Sequence, residues 1–175
     1  MRHKNVDLPE LLAELTAPVI RAGELIMAIH ERGVVSRAKA DGSPVSEADE
    51  AAEAVLLEAL DAIAPGIPVV SEENAASHAM APPPSFFLVD PIDGTREFLR
   101  TDGNGAFTVN IGLIEDGEPV FGIVHAPARD RFFSGIVRRG AWETSGGVTR
   151  DLAVRPVPDS GPVAMASRSH PDSLT

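Results

Sequence analysis

Apolar residues recur at helical spacing in two stretches of the first third of the chain. The first stretch covers residues 8–29 and predicts a long helix, which Pro18 should kink or split into two. The second covers residues 48–63 and stops at Pro65-Gly66, a pair typical of helix termination. The sequence therefore predicts two amphipathic helices before any strand.

Two short apolar runs rich in β-forming residues follow, at residues 67–71 and 86–90. Both runs are too short for buried helices, so we interpret them as core strands. The residues between them, 75–85, contain three consecutive prolines and no periodicity. That composition predicts a surface loop joining the two strands.

Alternating apolar and polar positions dominate the next part of the chain. Residues 107–113 alternate, and Asp116-Gly117 is a two-residue hairpin signal before the run at 119–125. Residues 131–137 and 140–144 continue the pattern, so we expect an antiparallel meander of about four or five strands. Helices first and strands afterwards indicate an α+β fold, with the helices packed on one face of an antiparallel sheet.

The chain is acidic and has no cysteine. Its 175 residues include 26 acidic and 15 basic side chains, and the net charge of -11 disfavours nucleic-acid binding by counterion release. Without cysteine, disulfides, thiolate nucleophiles and cysteine-type zinc sites are excluded. A hydrophobic content of 43% is that of an ordinary globular domain with a buried core.

The start of the chain does not resemble a targeting segment. Residues 1–4 are basic, but Asp7, Glu10 and Glu14 interrupt the stretch where a signal peptide would be apolar. No window approaches the roughly 18 to 20 consecutive apolar residues that a membrane span requires. We therefore expect a cytoplasmic chain whose contact with a membrane, if any, is peripheral at its inner face.

Acidic residues follow both predicted core strands. Glu72-Glu73 comes after the first strand, and Asp90 ends the second, with Asp93 three residues later. If the strands are neighbours, these carboxylates converge, and two of them about 4 Å apart repel by roughly 4 kcal/mol at an effective dielectric near 20. Such a cluster needs a cation, and oxygen-only ligands favour Mg2+ over Mn2+, Ca2+ or zinc. The alternative for each single aspartate is a turn-forming role.

The segment after Asp93 has the features of a phosphate-binding turn. Residues 95–100 can form one or two helical turns, and the N–H groups of Gly94 and Thr95 would then lie at the helix N-terminus. Gly94 allows a ligand to approach closely. Carboxylates for a metal and amides for an anion within six residues suit metal-assisted hydrolysis of a phosphoester.

The run Asp90-Pro91-Ile92-Asp93-Gly94-Thr95 resembles the signature of the inositol monophosphatase superfamily of Mg2+-dependent, lithium-sensitive phosphatases. Residues 41–49 and 70–73 are similar to that family's upstream motifs in order and spacing. The resemblance implies a layered αβαβα sugar-phosphatase-like fold.

Three further segments resemble one branch of the superfamily. Residues 95–99, 107–111 and 166–170 look most like the CysQ-type 3'(2'),5'-bisphosphate nucleotidases. The resemblance implies hydrolysis of the 3'-phosphate of adenosine 3',5'-bisphosphate, with no nucleic-acid polymer as partner. An inositol monophosphatase or related sugar phosphatase is the alternative in the same class. A truncated, non-catalytic fragment that binds metal or phosphate is the alternative outside it, and a homodimer is left open.

The resemblance also implies roles for individual residues. Roughly two or three Mg2+ ions would be bound by Glu72, Asp90, Asp93 and the backbone carbonyl of Ile92. Glu72 and Asp93 would also face the bound phosphate.

The remaining roles concern the phosphate and the attacking water. Gly94 and Thr95 would donate to the phosphate, with Lys39 near the site loop. The Thr95 hydroxyl and Asp49 would orient and deprotonate the water, alongside Glu72.

Several of these residues have a simpler interpretation. Ser46 and Asp49 fit a capping arrangement at the start of the second helix, which is compatible with a catalytic Asp49. Glu73 is interpreted as a solvated neighbour of Glu72, and Lys39 as an exposed lysine. Arg96 and Arg100 either attract an anionic substrate or belong to a charged helix face. The five histidines lack ligand spacing, and Trp142 is expected to be buried in a strand.

The sequence departs from the family pattern after the predicted sheet. We divide it into an α+β phosphatase domain at residues 1–155 and the start of a truncated α/β domain at 156–175. The family's further metal-binding aspartate lies in a Trp-Asp-x-x-Ala motif, and the only tryptophan here, Trp142, precedes Glu143. Ala106 stands where the nucleotidases usually carry glutamate. Full activity of these 175 residues alone is therefore left open.

Overall fold

The structure is a computed structural model that describes residues 6–38, 44–79, 83–99 and 106–163. These residues form two long helices, one short helix and nine strands. In chain order the elements are α1 (Leu8–Arg32), β1 (Ser36–Ala38), β2 (Pro44–Ser46), α2 (Glu47–Ile63), β3 (Val69–Ser71), β4 (Ser85–Asp93), α3 (Thr95–Phe98), β5 (Thr108–Glu115), β6 (Glu118–Ala126), β7 (Arg131–Ile136), β8 (Gly140–Ser145) and β9 (Val148–Asp151).

Helix α1 is one continuous helix, so of the two effects predicted for Pro18, a kink or a split, the split does not occur. Asp7 caps its start by accepting a hydrogen bond from the Glu10 N–H at 3.4 Å. Leu15 and Val19, on either side of the proline, are both fully buried. Their packing holds the two halves of the helix on the same core, and this outweighs the backbone hydrogen bond that proline cannot make.

Seven strands form a mixed sheet in the order β3-β4-β5-β6-β7-β8-β9. The predicted antiparallel meander is confirmed from β5 to β9, and Asp116 and Gly117 make its first turn with positive φ angles of 51° and 84°. Strand β4 also pairs antiparallel with β5. The sheet is not wholly antiparallel, because β3 pairs with β4 in parallel. The two predicted core strands are therefore neighbours that run in the same direction.

Helices α1 and α2 pack against each other and against one face of the sheet, as the sequence predicts. Alternate residues of β5 face these helices, and the residues between them face the other way. The opposite face is partly exposed among the described residues, with Leu88 43% and Val124 39% accessible. The shared core includes Leu15, Val19, Ile26, Leu56, Leu60, Phe87, Val89, Ile111 and Ile123.

Some features were not predicted, and some predictions lie outside the described residues. Strands β1 and β2 form a small antiparallel sheet before α2, and a 3-10 helix, Ala75–Ala79, occupies part of the predicted loop. Lys39, Arg100 and the segment at residues 166–170 are not among the described residues. None of the described helices is long and apolar enough to cross a membrane. The division of the chain at residue 155 stays a prediction.

Candidate active site

The parallel pairing of β3 with β4 brings two predicted site residues together. Ser71 is in register with Val89, and the Glu72 N–H donates to the Val89 carbonyl oxygen at 3.0 Å. The next residues, Glu72 and Asp90, therefore lie side by side, and their side chains share a hydrogen bond. The expected convergence of carboxylates from the two strand ends is observed for this pair.

A β-bulge aligns the second aspartate of β4 with the first. Asp90 pairs with Asn110 and Asp93 pairs with Thr108, so β4 uses one more residue than β5 over this interval. Side chains alternate between faces in a regular strand, and residues three apart would point to opposite faces. The extra residue in the Pro91–Ile92 segment cancels that alternation. Asp90 and Asp93 consequently share the sheet face that points away from α1 and α2.

The pKa of Asp90 is raised to about 8, first by burial, then by the charge and hydrogen bond of Glu72, and then by the charge of Asp93. A backbone hydrogen bond from Ile92 lowers it only in part. At neutral pH the Asp90 carboxyl is therefore largely protonated, and it is hydrogen-bonded to Glu72. A cation would stabilise the two carboxylates in the way that this proton does.

The donor chemistry at this pair fits a hard divalent cation. Asp90 Oδ1 is a buried oxygen with no hydrogen-bond partner among the described residues. In the same part of the chain, no three histidine, aspartate or glutamate side chains are arranged to hold one ion. Mg2+ is commonly held by only one or two carboxylates, with water and substrate oxygens completing its shell. Glu72 and Asp90 meet that requirement, and the wider predicted set with Asp93 and the Ile92 carbonyl remains a prediction.

Asp49 and Thr95 are in contact, and Asp49 also caps α2. Asp49 Oδ2 accepts hydrogen bonds from the Ser46 N–H at 2.7 Å and the Ser46 hydroxyl at 2.6 Å, which confirms the predicted capping box. Its other oxygen, Oδ1, lies 3.5 Å from the Thr95 hydroxyl oxygen. The same hydroxyl lies 3.1 Å from the Ile92 carbonyl oxygen. The fully buried Asp49 carboxylate thus caps α2 with one oxygen and lies near Thr95 with the other.

Gly94 allows the chain to turn from β4 into α3. Its φ of 92° and ψ of 39° are left-handed, and a Cβ placed there would lie 2.8 Å from the Ala106 carbonyl oxygen. Both observations exclude a larger residue. Helix α3 confirms the predicted helical turn, and no side chain caps its N-terminus among the described residues.

The charged neighbours of the site differ in part from expectation. Glu73 is half-buried rather than solvated, and Arg96 is exposed on α3. Trp142 is half-buried, not buried, because it lines a groove of about 690 Å³ between α1 and β7–β9. None of the predicted site residues lines that groove.

Residues that the sequence did not single out hold Ser71, the residue before Glu72. The Ser71 N–H donates to the Ser77 hydroxyl at 3.2 Å, and the Ser71 carbonyl oxygen lies 2.7 Å from His78 Nε2. The Ser71 hydroxyl donates to the Glu53 carboxylate on α2. Strand β3 has only three residues, so these contacts fix the position of Glu72. The one sequence signal was the polar Ser71 at the end of an apolar run.

Comparisons with known proteins find relatives along most of the chain. The chain is 41% identical over 157 residues to the 3'(2'),5'-bisphosphate nucleotidase CysQ of Shigella flexneri, covering 87% of this chain and 61% of that protein. The CysQ of Escherichia coli (strain K12) is 40% identical with the same coverage. The crystal structure of CysQ from Bacteroides thetaiotaomicron matches with a TM-score of 0.62 and 30% identity, covering 86% of this chain and 55% of that one.

The chain thus spans about three fifths of the length of these curated relatives. Residues 7–172 match the sequence profile of the Inositol monophosphatase family, which is nearly the whole chain. The resemblance drawn from the Asp90–Thr95 motif is confirmed, and so is the fold it implied. The chain belongs to the inositol monophosphatase family.

Proposed function

We propose that this chain supplies the metal and phosphate site of a Mg2+-dependent phosphomonoesterase that removes the 3'-phosphate of adenosine 3',5'-bisphosphate. The observation that carries the proposal is the Glu72–Asp90 pair beside the Asp49–Thr95 contact. The name of the relatives at about 40% identity supports the choice of substrate.

Glu72 and Asp90 would hold the cation, joined by Asp93 and the Ile92 carbonyl. A cation held there would offset the negative charge of the phosphate and make a nearby water more acidic. The buried, unpartnered Asp90 Oδ1 and the raised pKa of Asp90 both support a cation at this position.

Thr95 and Asp49 would orient the water that attacks phosphorus. The Thr95 hydroxyl donates its proton toward Asp49 Oδ1 or the Ile92 carbonyl, so its oxygen can accept a hydrogen bond from water. Asp49 would accept a proton from that water at Oδ1, because Oδ2 already accepts two hydrogen bonds from Ser46.

The start of α3 would bind the phosphate through the N–H groups of Gly94 and Thr95. The bond from water oxygen to phosphorus forms while the bond to the 3'-oxygen breaks, and that oxygen takes a proton from solvent. The products are AMP and inorganic phosphate.

The test is phosphate release by the purified chain after its intact mass has been measured. The substrates are adenosine 3',5'-bisphosphate and inositol 1-phosphate, with Mg2+, in the presence and absence of lithium. We expect lithium-inhibited release that favours the nucleotide. Asp93→Asn should abolish release and leave the melting transition in chelator nearly unchanged, and the exposed Asp61→Asn serves as the matched control.

Each other outcome points to one of the alternatives. Preference for inositol 1-phosphate would place the chain among the sugar phosphatases. No release from either substrate by a chain of the expected mass would identify a non-catalytic fragment. The homodimer and the cytoplasmic location stay predictions, which sedimentation and fractionation test.

A further inference from the structure

Asn110 extends the row of oxygen donors that begins with Glu72 and Asp90. Glu72 follows the β3 residue that pairs with Val89, and Asp90 pairs directly with Asn110 on β5. The three side chains are therefore lateral neighbours on one face of three adjacent strands. The next position in the row is Val124 on β6, which is apolar. Asn110 is thus the polar end of this row.

Two oxygens in this row are buried without a donor. In the part of the chain that the structure describes, Asp90 Oδ1 and Asn110 Oδ1 are the buried side-chain atoms with no hydrogen-bond partner. Neither oxygen receives a hydrogen bond from the other side chain. A buried acceptor oxygen needs a hydrogen-bond donor or a cation. Two such oxygens on paired residues point to one donor or cation that both of them contact.

Strand formation gives no reason for an asparagine at this position. Asparagine is depleted in strands, and its neighbours Val109 and Ile111 already provide the core contacts of β5. A neutral amide oxygen, however, adds a ligand for a hard cation without adding a third charge to Glu72 and Asp90. A carboxylate at the same position would increase the repulsion that already raises the pKa of Asp90.

We propose that Asn110 is a cation-binding residue whose Oδ1 acts together with Glu72 and Asp90. This inference rests on the metal dependence in the proposed function and adds a residue to which the family signature assigns no role. It adds a neutral oxygen to the Glu72–Asp90 pair, in a structure where no three acidic residues are arranged around one ion among the described residues.

The test measures cation binding without turnover. Wild type and variants of the full 175-residue chain are stripped with EDTA and titrated with Mn2+ and Mg2+ by calorimetry and by the cation-induced rise in Tm. In Asn110→Leu we expect about a tenfold loss of Mn2+ affinity. Its Tm in EDTA should be equal to or above that of wild type, because a buried unsatisfied oxygen has been removed. A merely structural asparagine would lower that Tm instead.

Two further variants sharpen the result. Asn110→Asp keeps the oxygen and adds a charge, so its Tm in EDTA should fall at pH 8 while its cation-induced rise in Tm exceeds that of wild type. Val124→Leu changes bulk at the next position of the row and should leave Mn2+ affinity unchanged.

The failures are distinguishable. Wild-type binding with equal binding by Asn110→Leu overturns the role of Asn110 and leaves the proposed function intact. No cation binding by wild type overturns the metal dependence, and the inference with it. If Asn110→Leu does not fold, Asn110→Asp decides, since Mn2+ affinity equal to or below that of wild type contradicts the proposal.

Discussion

Helix α1 packs a glycine, Gly23, against His125 of the sheet. A Cβ at that position would lie 2.6 Å from Cδ2 and Nε2 of His125 on β6 and 3.0 Å from the Pro127 Cβ. His125 is 8% exposed, its Nδ1 lies 3.3 Å from the Arg131 carbonyl oxygen, and its ring contacts Phe132 at 5.6 Å between centroids. The imidazole is therefore enclosed and has little room to move.

Gly23→Ala sets two opposing effects against each other. Alanine is favoured over glycine inside a helix by about 1 kcal/mol. The clash is about 1 Å short of ordinary carbon contact, and overpacking of this kind costs about 1–3 kcal/mol. We expect the clash to dominate, with a net loss of up to about 2 kcal/mol and a Tm lower by up to about 8 °C.

A double-mutant cycle with His125→Ala separates the two effects. Once the imidazole is removed, only the 3.0 Å contact with the Pro127 Cβ remains. Gly23→Ala should then no longer be destabilising, and it can increase the free energy of unfolding by up to about 1 kcal/mol. Urea unfolding followed by circular dichroism in EDTA gives the four values. The exposed Ala13→Gly in the same helix is the control, and it should cost about 1 kcal/mol in both backgrounds. Stabilisation by Gly23→Ala with His125 present would refute the reasoning.

Three further perturbations act on the site and on His125. In chelator, Asp90→Asn should be more stable than wild type at pH 8.5 and little different at pH 4. The Asp90 pKa is raised from 3.8 to about 8, so wild type loses stability as pH rises through that window. Urea unfolding at the two pH values measures the difference. Glu53→Leu should cost about 1–2 kcal/mol by leaving the Ser71 hydroxyl without its acceptor, and should weaken Mn2+ binding, whereas Glu53→Gln should recover most of both in the same unfolding and titration experiments. Burial lowers the pKa of His125 from its ordinary 6.5. The stability that the neutral imidazole contributes is therefore complete above pH 6.5 and falls as pH drops. His125→Phe should show a smaller difference in unfolding free energy between pH 7.5 and pH 5 than wild type. Equal pH dependence in wild type and variant would contradict the last expectation.

Features carried by local pattern were predictable from the sequence. The two helices follow from apolar spacing, the β5–β6 hairpin from Asp116-Gly117, and the cap of α2 from Ser46 and Asp49. The convergence of Glu72 and Asp90 followed from the acids that end two adjacent strands. In each case the signal lies within one or two elements, where sequence spacing determines position.

Features that depend on tertiary packing were not predictable. The contact of Gly23 with His125 joins a helix to a strand that is distant in the sequence. One of the residues that hold Ser71 in place, Glu53, lies on α2. Asn110 looked like one polar position of an alternating strand until the register placed it opposite Asp90. Pro18 is a helix breaker by propensity, but the buried residues beside it kept the helix whole.

Because of the bulge between Asp90 and Asp93, the number of residues between the two aspartates determines whether their side chains share a face. Removing one residue there would restore the regular alternation of β4 and rotate Asp93 and the Gly94 turn by one strand position, toward the helices. Every acidic residue of the motif would remain in the sequence, yet the carboxylates would no longer share a face. A design that transfers this site to another protein must therefore keep the number of residues between the aspartates as strictly as the aspartates themselves. An alignment of this motif must place no gap there.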